Sequence, residues 1–454
     1  MYHNPQNGLI GGFSDSGTLL PMTKDAGKIF KGLETLALHA GTPPDPVTGS
    51  RSTPVHFSTA FVFKDAKHAA DLFALKEFGY SYSRLTNPTV NALEERIAAM
   101  EGGIGATCAA SGHGGQLLVL SALMQPGDHV VASSRLYGGS VNQLKNIFPK
   151  TFGWQSTLVD PDSADNFKKA ITDKTKAIFV EAMANPAGVI VDLEAIARVA
   201  EDAKIPFIVD NTLSTPVLCK PLSYGANVVT HSTTKFLSAH GHAMGGVVVD
   251  GGTFDWAAQK DKFRALGQPE PCYNNIVFAD VFGKQALYVH NHAIGLRDLG
   301  MTQQPMNAFL TLQGIETLAL RMPRHCENAL AVARFLEKHP KVEWVNYAGL
   351  ETNKYHHLAK RYMKGHGGAV FAFGVKGGHE AGMRVVDNVK LFSHVANIGD
   401  TRSLIVHPSS TTHSQLSAEQ KITNGIGPEA IRLSVGIESI DDISADLDQA
   451  LANI

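Results

Sequence analysis

The chain has 454 residues, of which 44% are hydrophobic and 18% charged. That is enough apolar material for a sizeable core, and it excludes a disordered chain. Lys plus Arg number 40 and Asp plus Glu 42, a net charge of −2, so no basic excess exists to hold a nucleic-acid backbone. At ~150 residues per domain, two large domains or three smaller ones are expected. The most apolar run, Leu117 to Met124, falls far short of the ~18–20 residues that cross a bilayer. Cys108, Cys219, Cys272 and Cys326 include no CxxC pair and form no disulfide framework. The opening MYHNPQNGLI lacks a basic segment followed by an apolar one, so no signal peptide is expected. The expectation is a soluble cytoplasmic protein.

Residues 1 to about 60 carry no clear period and read as an extended arm. Asn87-Pro88-Thr89 offers a helix cap with proline at the first helical position. Val90, Leu93, Ile97 and Met100 then share a face, and Gly102-Gly103 ends the helix. Strand and helix signals alternate after that. Strands are predicted at Ala106–Ala110, Val130–Val131, Trp154–Val159, Ala177–Val180, Phe207–Val209, Val228–Val229 and Val247–Val249. Helices are predicted at Gly114–Gln125, Ser140–Phe148 and Asp192–Lys204. Such alternation implies a mostly parallel sheet with helices on both faces. Residues 251–305 show no strong period. One long helical stretch follows, from Met306 to Leu336, and 340–454 reads as a smaller α/β unit.

Ligands of open α/β sheets sit beyond the carboxyl ends of the strands. Three such ends carry candidate chemistry. Ser111-Gly112-His113-Gly114-Gly115 lets backbone N–H groups approach an anion, or is a plain tight turn. The dinucleotide fingerprint fails nearby, because Cys108 stands where its third glycine belongs, and no P-loop occurs. Asp210, ending IPFIVDN, caps the next turn or faces a protonated ring nitrogen. Ser232-Thr233-Thr234-Lys235 follows ANVVTH. A lysine there snorkels to the surface, or is a desolvated nucleophile with phosphate-binding hydroxyls beside it. Together the three ends describe a pyridoxal phosphate site.

The stretches YSRLTNPTVNALEERIAAMEGG, ASGHGG, RLYGGS, IVDNTLSTP, HSTTKFLSAHGHAMGG, SLIVHPSSTTH and IRLSVGIE resemble the Cys/Met-metabolism family of fold-type-I pyridoxal phosphate enzymes. The likeness runs from about Ser52 to the C-terminus. It implies an α/β transferase fold, with a mostly parallel seven-stranded sheet sandwiched by helices and a smaller C-terminal α/β domain. The chain would divide into an arm (1–84), a cofactor domain (85–290) and a C-terminal domain (291–454). The resemblance also implies roles. Lys235 would hold the cofactor as a Schiff base and shuttle protons, Asp210 would pair with its ring nitrogen, and Tyr137 would stack on the ring. Gly112, His113, Ser232 and Thr234 would hold the phosphate. Tyr82 and Arg84 would reach it from a neighbouring subunit, within a homotetramer built of catalytic dimers. Asn185 would sit by the cofactor's phenolic oxygen and the substrate, and Arg432 with Ser403 would bind the substrate carboxylate.

Within the family, NIGDTRSLIVHPSSTTH and extra sequence near Phe254 to His292 resemble the O-acetylhomoserine sulfhydrylases. Gly139 stands where methionine γ-lyases carry a cysteine. Arg402 stands where cystathionine enzymes tend to have glutamate, and a cation there would repel cystathionine's distal ammonium. The expected reaction is γ-replacement on an O-acylated homoserine by sulfide or a small thiol. Cystathionine γ-synthase, cystathionine or methionine γ-lyase, and O-succinylhomoserine sulfhydrylase activities stay open as alternatives. His113 and His242 depart from the commoner pattern and leave the acyl group and nucleophile open. Ser232-x-x-Lys235 also matches the SxxK of acyl-hydrolases, but the companion SDN and KTG are missing. The pairs His240/His242 and His290/His292 read as pocket or surface histidines, and no metal is expected. A fold retained for binding alone is the non-enzymatic alternative.

Overall fold

The computed structural model describes residues 30–186, 188–411 and 427–454. Part of the expected arm, and the end of the SLIVHPSSTTH stretch, lie outside the described residues. Seven strands form the first sheet: β1 (Gly105–Ala109), β2 (His129–Ser133), β3 (Gln155–Val159), β4 (Thr175–Glu181), β5 (Phe207–Asp210), β6 (Val228–His231) and β7 (Gly246–Asp250). Their order is β1-β7-β6-β5-β4-β2-β3. Only β7 runs against the rest, pairing antiparallel with both β1 and β6. Phe207, Ile208 and Val209 of β5 are wholly buried, as expected of a central strand covered on both faces.

The helices begin and end where local chemistry directs. In α1 (Pro88–Glu101) the Asn87 side chain accepts from Thr89 N and Val90 N, and left-handed Gly102 (φ 86°) closes the last turn. Its Leu93, Ile97 and Met100 are fully buried. α2 (Gly112–Leu123) begins two residues earlier than its period predicts, because Ser111 Oγ caps Gly114 N. The predicted helix at 140–148 runs on to Phe152 with a π turn over Gln143–Ile147. Pro149 lacks an N–H and crowds the preceding turn, and the wider π spacing absorbs that. α3 (Leu193–Asp202) is capped by Asp192 and buries Leu193, Ile196 and Ala200. Residues 251–305 form short turns and helices around Phe254, Trp256 and Phe263, whose rings pack edge-on or tilted.

The single long helix predicted from Met306 is two helices, α4 (Pro305–Glu316) and α5 (Leu318–Lys338). The break at Thr317 is held by Arg321. Its guanidinium donates to Gly314 O at 2.7 Å, Thr317 Oγ1 at 3.1 Å and Phe236 O at 3.0 Å. It thus satisfies carbonyls that a helix end would leave bare. Gly314 is needed there, since a Cβ would lie 2.5 Å from Leu237 O and Ser238 O. The helix break therefore buttresses the loop that carries Lys235.

A second sheet follows: β8 (Val342–Asn346), β9 (Val370–Val375), β10 (Ser393–His394), β11 (Leu404–Val406) and β12 (Ala430–Ser434), in the order β10-β11-β12-β9-β8. Only β10 and β11 pair in parallel. α6 (Gly378–Asn388) covers β9 and β12, and α7 (Ile440–Leu451) packs on α5 and α6. Among the described residues, no helix is long and apolar enough to cross a membrane.

Candidate active site

A cavity of about 350 Å³ opens at the carboxyl ends of the first sheet, walled on one side by residues of the second. Gly112, His113, Tyr137, Asn185, Asp210, Ser232, Thr234, Lys235 and Arg432 all line it. Strand ends place most of them. Asp210 ends β5, Ser232 to Lys235 follow β6, Asn185 follows β4, and Gly112 and His113 open α2 after β1.

One end of the cavity is built for an anion. Ser111, Gly112 and His113, at the N-terminus of α2, line that end, and a helix N-terminus favours an anion. A Cβ on Gly112 would lie 2.8 Å from Ser232 Cβ, and one on Gly246 would lie 2.0 Å from Ser111 O. Only glycine therefore allows β6, β7 and the helix start to converge. Ser232 N donates to Thr212 Oγ1 at 2.8 Å, which fixes the residue while leaving its hydroxyl free for other partners. Thr234 Oγ1 accepts from Gly245 N at 3.0 Å and donates to Gly245 O at 3.2 Å.

The reactive groups sit further in. Lys235 Nζ donates to Asn397 Oδ1 at 2.7 Å. Burial, with the Arg432 cation nearby, lowers this lysine to about 8. Asp210 is nearly buried; its Oδ1 accepts from Thr212 N at 3.0 Å and its Oδ2 from Thr230 Oγ1 at 3.1 Å. Arg432, in the middle of β12, donates to Asn397 O at 2.8 Å and to Asn185 Oδ1 at 3.4 Å. Its buried Nε has no partner among the described residues. Burial lowers it to about 10, opposed by Tyr137. A buried guanidinium with donors to spare suits an incoming carboxylate.

Tyr137 leans on His113, ring centroids 5.7 Å apart. Burial holds that imidazole below its ordinary value, with Asp210 opposing. A Cβ on Gly139 would lie 2.5 Å from the Tyr137 ring and 2.7 Å from His113 Cε1. Tyr137 and His113 together fill the space that a side chain at 139 would need, so Gly139 and His113 pack as one feature.

Other expected residues stand elsewhere. Tyr82 and Arg84 do not line this chain's own cavity. Tyr82 is exposed, and Arg84 Nη1 donates to Arg297 O at 2.6 Å. Ser403 is bonded away from the cavity. Its hydroxyl donates to Glu438 Oε2 and accepts from Gly436 N, both at 2.9 Å, and its N–H donates to Glu438 Oε1 at 2.6 Å. Wholly buried and fully bonded, it is outside the cavity wall. Arg402 is also outside that wall, and the exposed guanidinium is neutralised by Asp400, with Nε to Oδ1 at 2.9 Å. It therefore supplies no free cation against cystathionine. His240 and His242 lie with rings 5.2 Å apart and do not line the cavity. His290 is buried against Phe278 and lowered to about 4 by burial, and His292 bonds Thr107 and Glu94.

Several cavity residues escaped the sequence reading, among them Glu181, Asn397 and Met244. Glu181 closes β4 opposite Asp210. Its position after an apolar run is the same signal that marks Asp210. Asn397 lies in a stretch without period and gives no such signal.

The donor set fits pyridoxal phosphate. It joins an anion cradle at a helix N-terminus, a buried carboxylate, a half-buried lysine of lowered pKa and an exposed aromatic ring within one cavity. Residues 34–452 match the model of the Cys/Met metabolism PLP-dependent enzymes, and the chain belongs to that family. Pyridoxal phosphate is its cofactor, and its substrates are small molecules of cysteine and methionine metabolism. The chain is 48% identical over 430 residues to an O-acetyl-L-homoserine sulfhydrylase of Leptospira meyeri, covering 93% of this chain and 97% of that protein. It is 45% identical over 419 residues to a homocysteine synthase of Schizosaccharomyces pombe, covering 92% and 97%. The fold matches a Campylobacter jejuni crystal structure, assigned as an O-acetylhomoserine (thiol)-lyase and carrying N'-pyridoxyl-lysine-5'-monophosphate. That match has a TM-score of 0.90 at 39% identity and covers 93% of this chain and all of the other.

Proposed function

We propose that this enzyme replaces the acetyloxy group of O-acetyl-L-homoserine with sulfide or a small thiol. The products are L-homocysteine, or L-methionine from methanethiol, and acetate. At the γ-carbon a C–O bond breaks and a C–S bond forms. The observation that carries the reading is that Lys235, Asp210 and Arg432 wall one cavity, with the lysine lowered to about 8. The relatives named for this reaction support the choice of substrate.

Pyridoxal phosphate supplies the electron sink that makes protons next to an amino acid's nitrogen labile. The chain's residues do the rest. Gly112, His113, Ser232 and Thr234 would hold the phosphate. Asp210 would face the ring nitrogen, and Tyr137 and Asn185 would flank the ring. Lys235 would anchor the cofactor covalently, and its Nζ is the group placed to move protons. At a pKa of about 8 it spends a useful fraction of time in either protonation state near neutral pH. Arg432 clamps the substrate carboxylate, which points the reacting carbons at Lys235.

The same reading places Tyr82 and Arg84 in a neighbouring subunit's site, within a homotetramer of catalytic dimers in the cytoplasm. It divides the chain into an arm (1–84), a cofactor domain (85–290) and a C-terminal domain (291–454). To test the reaction, the holoenzyme is given O-acetyl-, O-succinyl- and O-phosphohomoserine with sulfide or methanethiol. Homocysteine and methionine from the acetyl ester are expected. Cleavage of cystathionine, with no product from any ester, would overturn the proposal.

A further inference from the structure

Glu181 is the last residue of β4 and is almost buried in the cavity wall. It stands directly across from Asp210 on β5. Its two oxygens point to two different segments. Oε1 accepts from Tyr137 N at 2.5 Å, and Oε2 accepts from Asn185 N at 3.2 Å. One carboxyl thus ties the loop after β2 to the loop after β4, the loops that carry Tyr137 and Asn185. The Tyr137 ring is exposed, and among the described residues the ring it leans on is that of His113.

Two carboxyls side by side in a buried wall are a costly arrangement, and a protein keeps one only where something offsets it. Burial first, and Asp210 second, push Glu181 up to about 8. A link between loops needs no acid, since an amide or hydroxyl also accepts N–H groups. An acid here places a second carboxyl beside Asp210.

We propose that Glu181 is a positioning residue for this enzyme's reaction, fixing the backbone of Tyr137 and Asn185 relative to Asp210 and biasing the charge around the cofactor. The inference rests on the cofactor's seat in this cavity, as proposed above. Asp210 from β5, Arg432 from β12, Lys235 after β6, Tyr137 after β2 and His113 at the start of α2 are the ionisable groups that share the wall. Glu181 acts through them and touches no reacting atom.

The test compares holoenzymes of wild type, Glu181→Gln and Glu181→Ala. The readouts are the pH midpoint of the lysine-bound cofactor's visible band, cofactor content, kcat and KM. Gln keeps the size and one acceptor but removes the acid, and Ala removes both. The Gln variant is expected to retain cofactor, with the midpoint lower by about half a unit or more, because the carboxylate that Glu181 becomes above about pH 8 is gone. Its kcat should fall ~10-fold and that of the Ala variant ~100-fold, with KM little changed, as misplaced groups slow chemistry more than binding. If the Ala variant does not fold, the midpoint and kcat of the Gln variant decide alone. A wild-type midpoint and a kcat within about twofold in the Gln variant would overturn the role. A wild-type protein with no visible band would instead overturn the cofactor reading beneath it.

Discussion

The two walls of the cavity are built differently. The first sheet contributes strand ends whose polar groups are locked by neighbours on the same sheet. Asp210 is held by Thr212 and Thr230, and Ser232 by Thr212. The second sheet contributes Arg432 from mid-strand and Asn397 from a loop; these bond each other and meet the first wall at Lys235 and Asn185. One wall is a preformed seat. The other is a clamp in which one buried donor, Arg432 Nε, lacks a partner among the described residues. Cofactor chemistry needs the rigid wall, whereas a substrate that enters and leaves needs the wall with donors to spare.

The sharpest way to break this contrast is on the seat. Lys235→Ala should remove the visible band of the lysine-bound cofactor and lower turnover by ~10³-fold or more, since the nucleophile is gone. Absorbance and single-turnover assays would show it, with circular dichroism reporting the retained fold. On the clamp, Arg432→Lys should lower kcat/KM ~10–100-fold, mostly through KM, because an ammonium cannot reproduce the planar fork. The visible band should stay as in wild type. A shifted band with unchanged KM would place Arg432 in the seat instead.

The remaining substitutions are smaller. Gly139→Cys should cost ~10-fold in kcat, because its side chain meets both Tyr137 and His113. Adding His113→Ala should recover part of that loss, and steady-state kinetics of the double variant measure the coupling. Ser403→Ala should leave kcat and KM within about twofold while lowering stability by ~1–2 kcal/mol in a denaturant titration, since only its bonds to Glu438 and Gly436 are lost. A tenfold rise in KM would restore Ser403 to the substrate clamp.

The contrast between the walls also explains what the sequence could tell. Strand ends of the first sheet were legible because short apolar runs stop abruptly at Asp210 and at Ser232, and the chemistry follows at once. Glu181 stops β4 in the same way, but its significance depends on Tyr137 N, which is 44 residues away in the chain. Arg432 lies inside the strand AIRLS, where neither period nor position marks it, and the family resemblance alone identified it. Ser403 looked available because nothing local shows that Glu438 occupies both of its donors. Arg402 likewise read as a free cation until Asp400, two residues before it, was seen to face it. The break at Thr317 was hidden because both helices keep an apolar face, and only the reach of Arg321 shows why the chain stops there.

The central claim is that this cavity seats the cofactor on Lys235. Borohydride reduction of the holoenzyme, followed by peptide mass spectrometry, tests it most directly. The account predicts one pyridoxyl-lysine per chain, on the peptide containing Ser232 to Lys235. Label on another lysine, such as Lys220 or Lys364, with Lys235 unmodified, would contradict it.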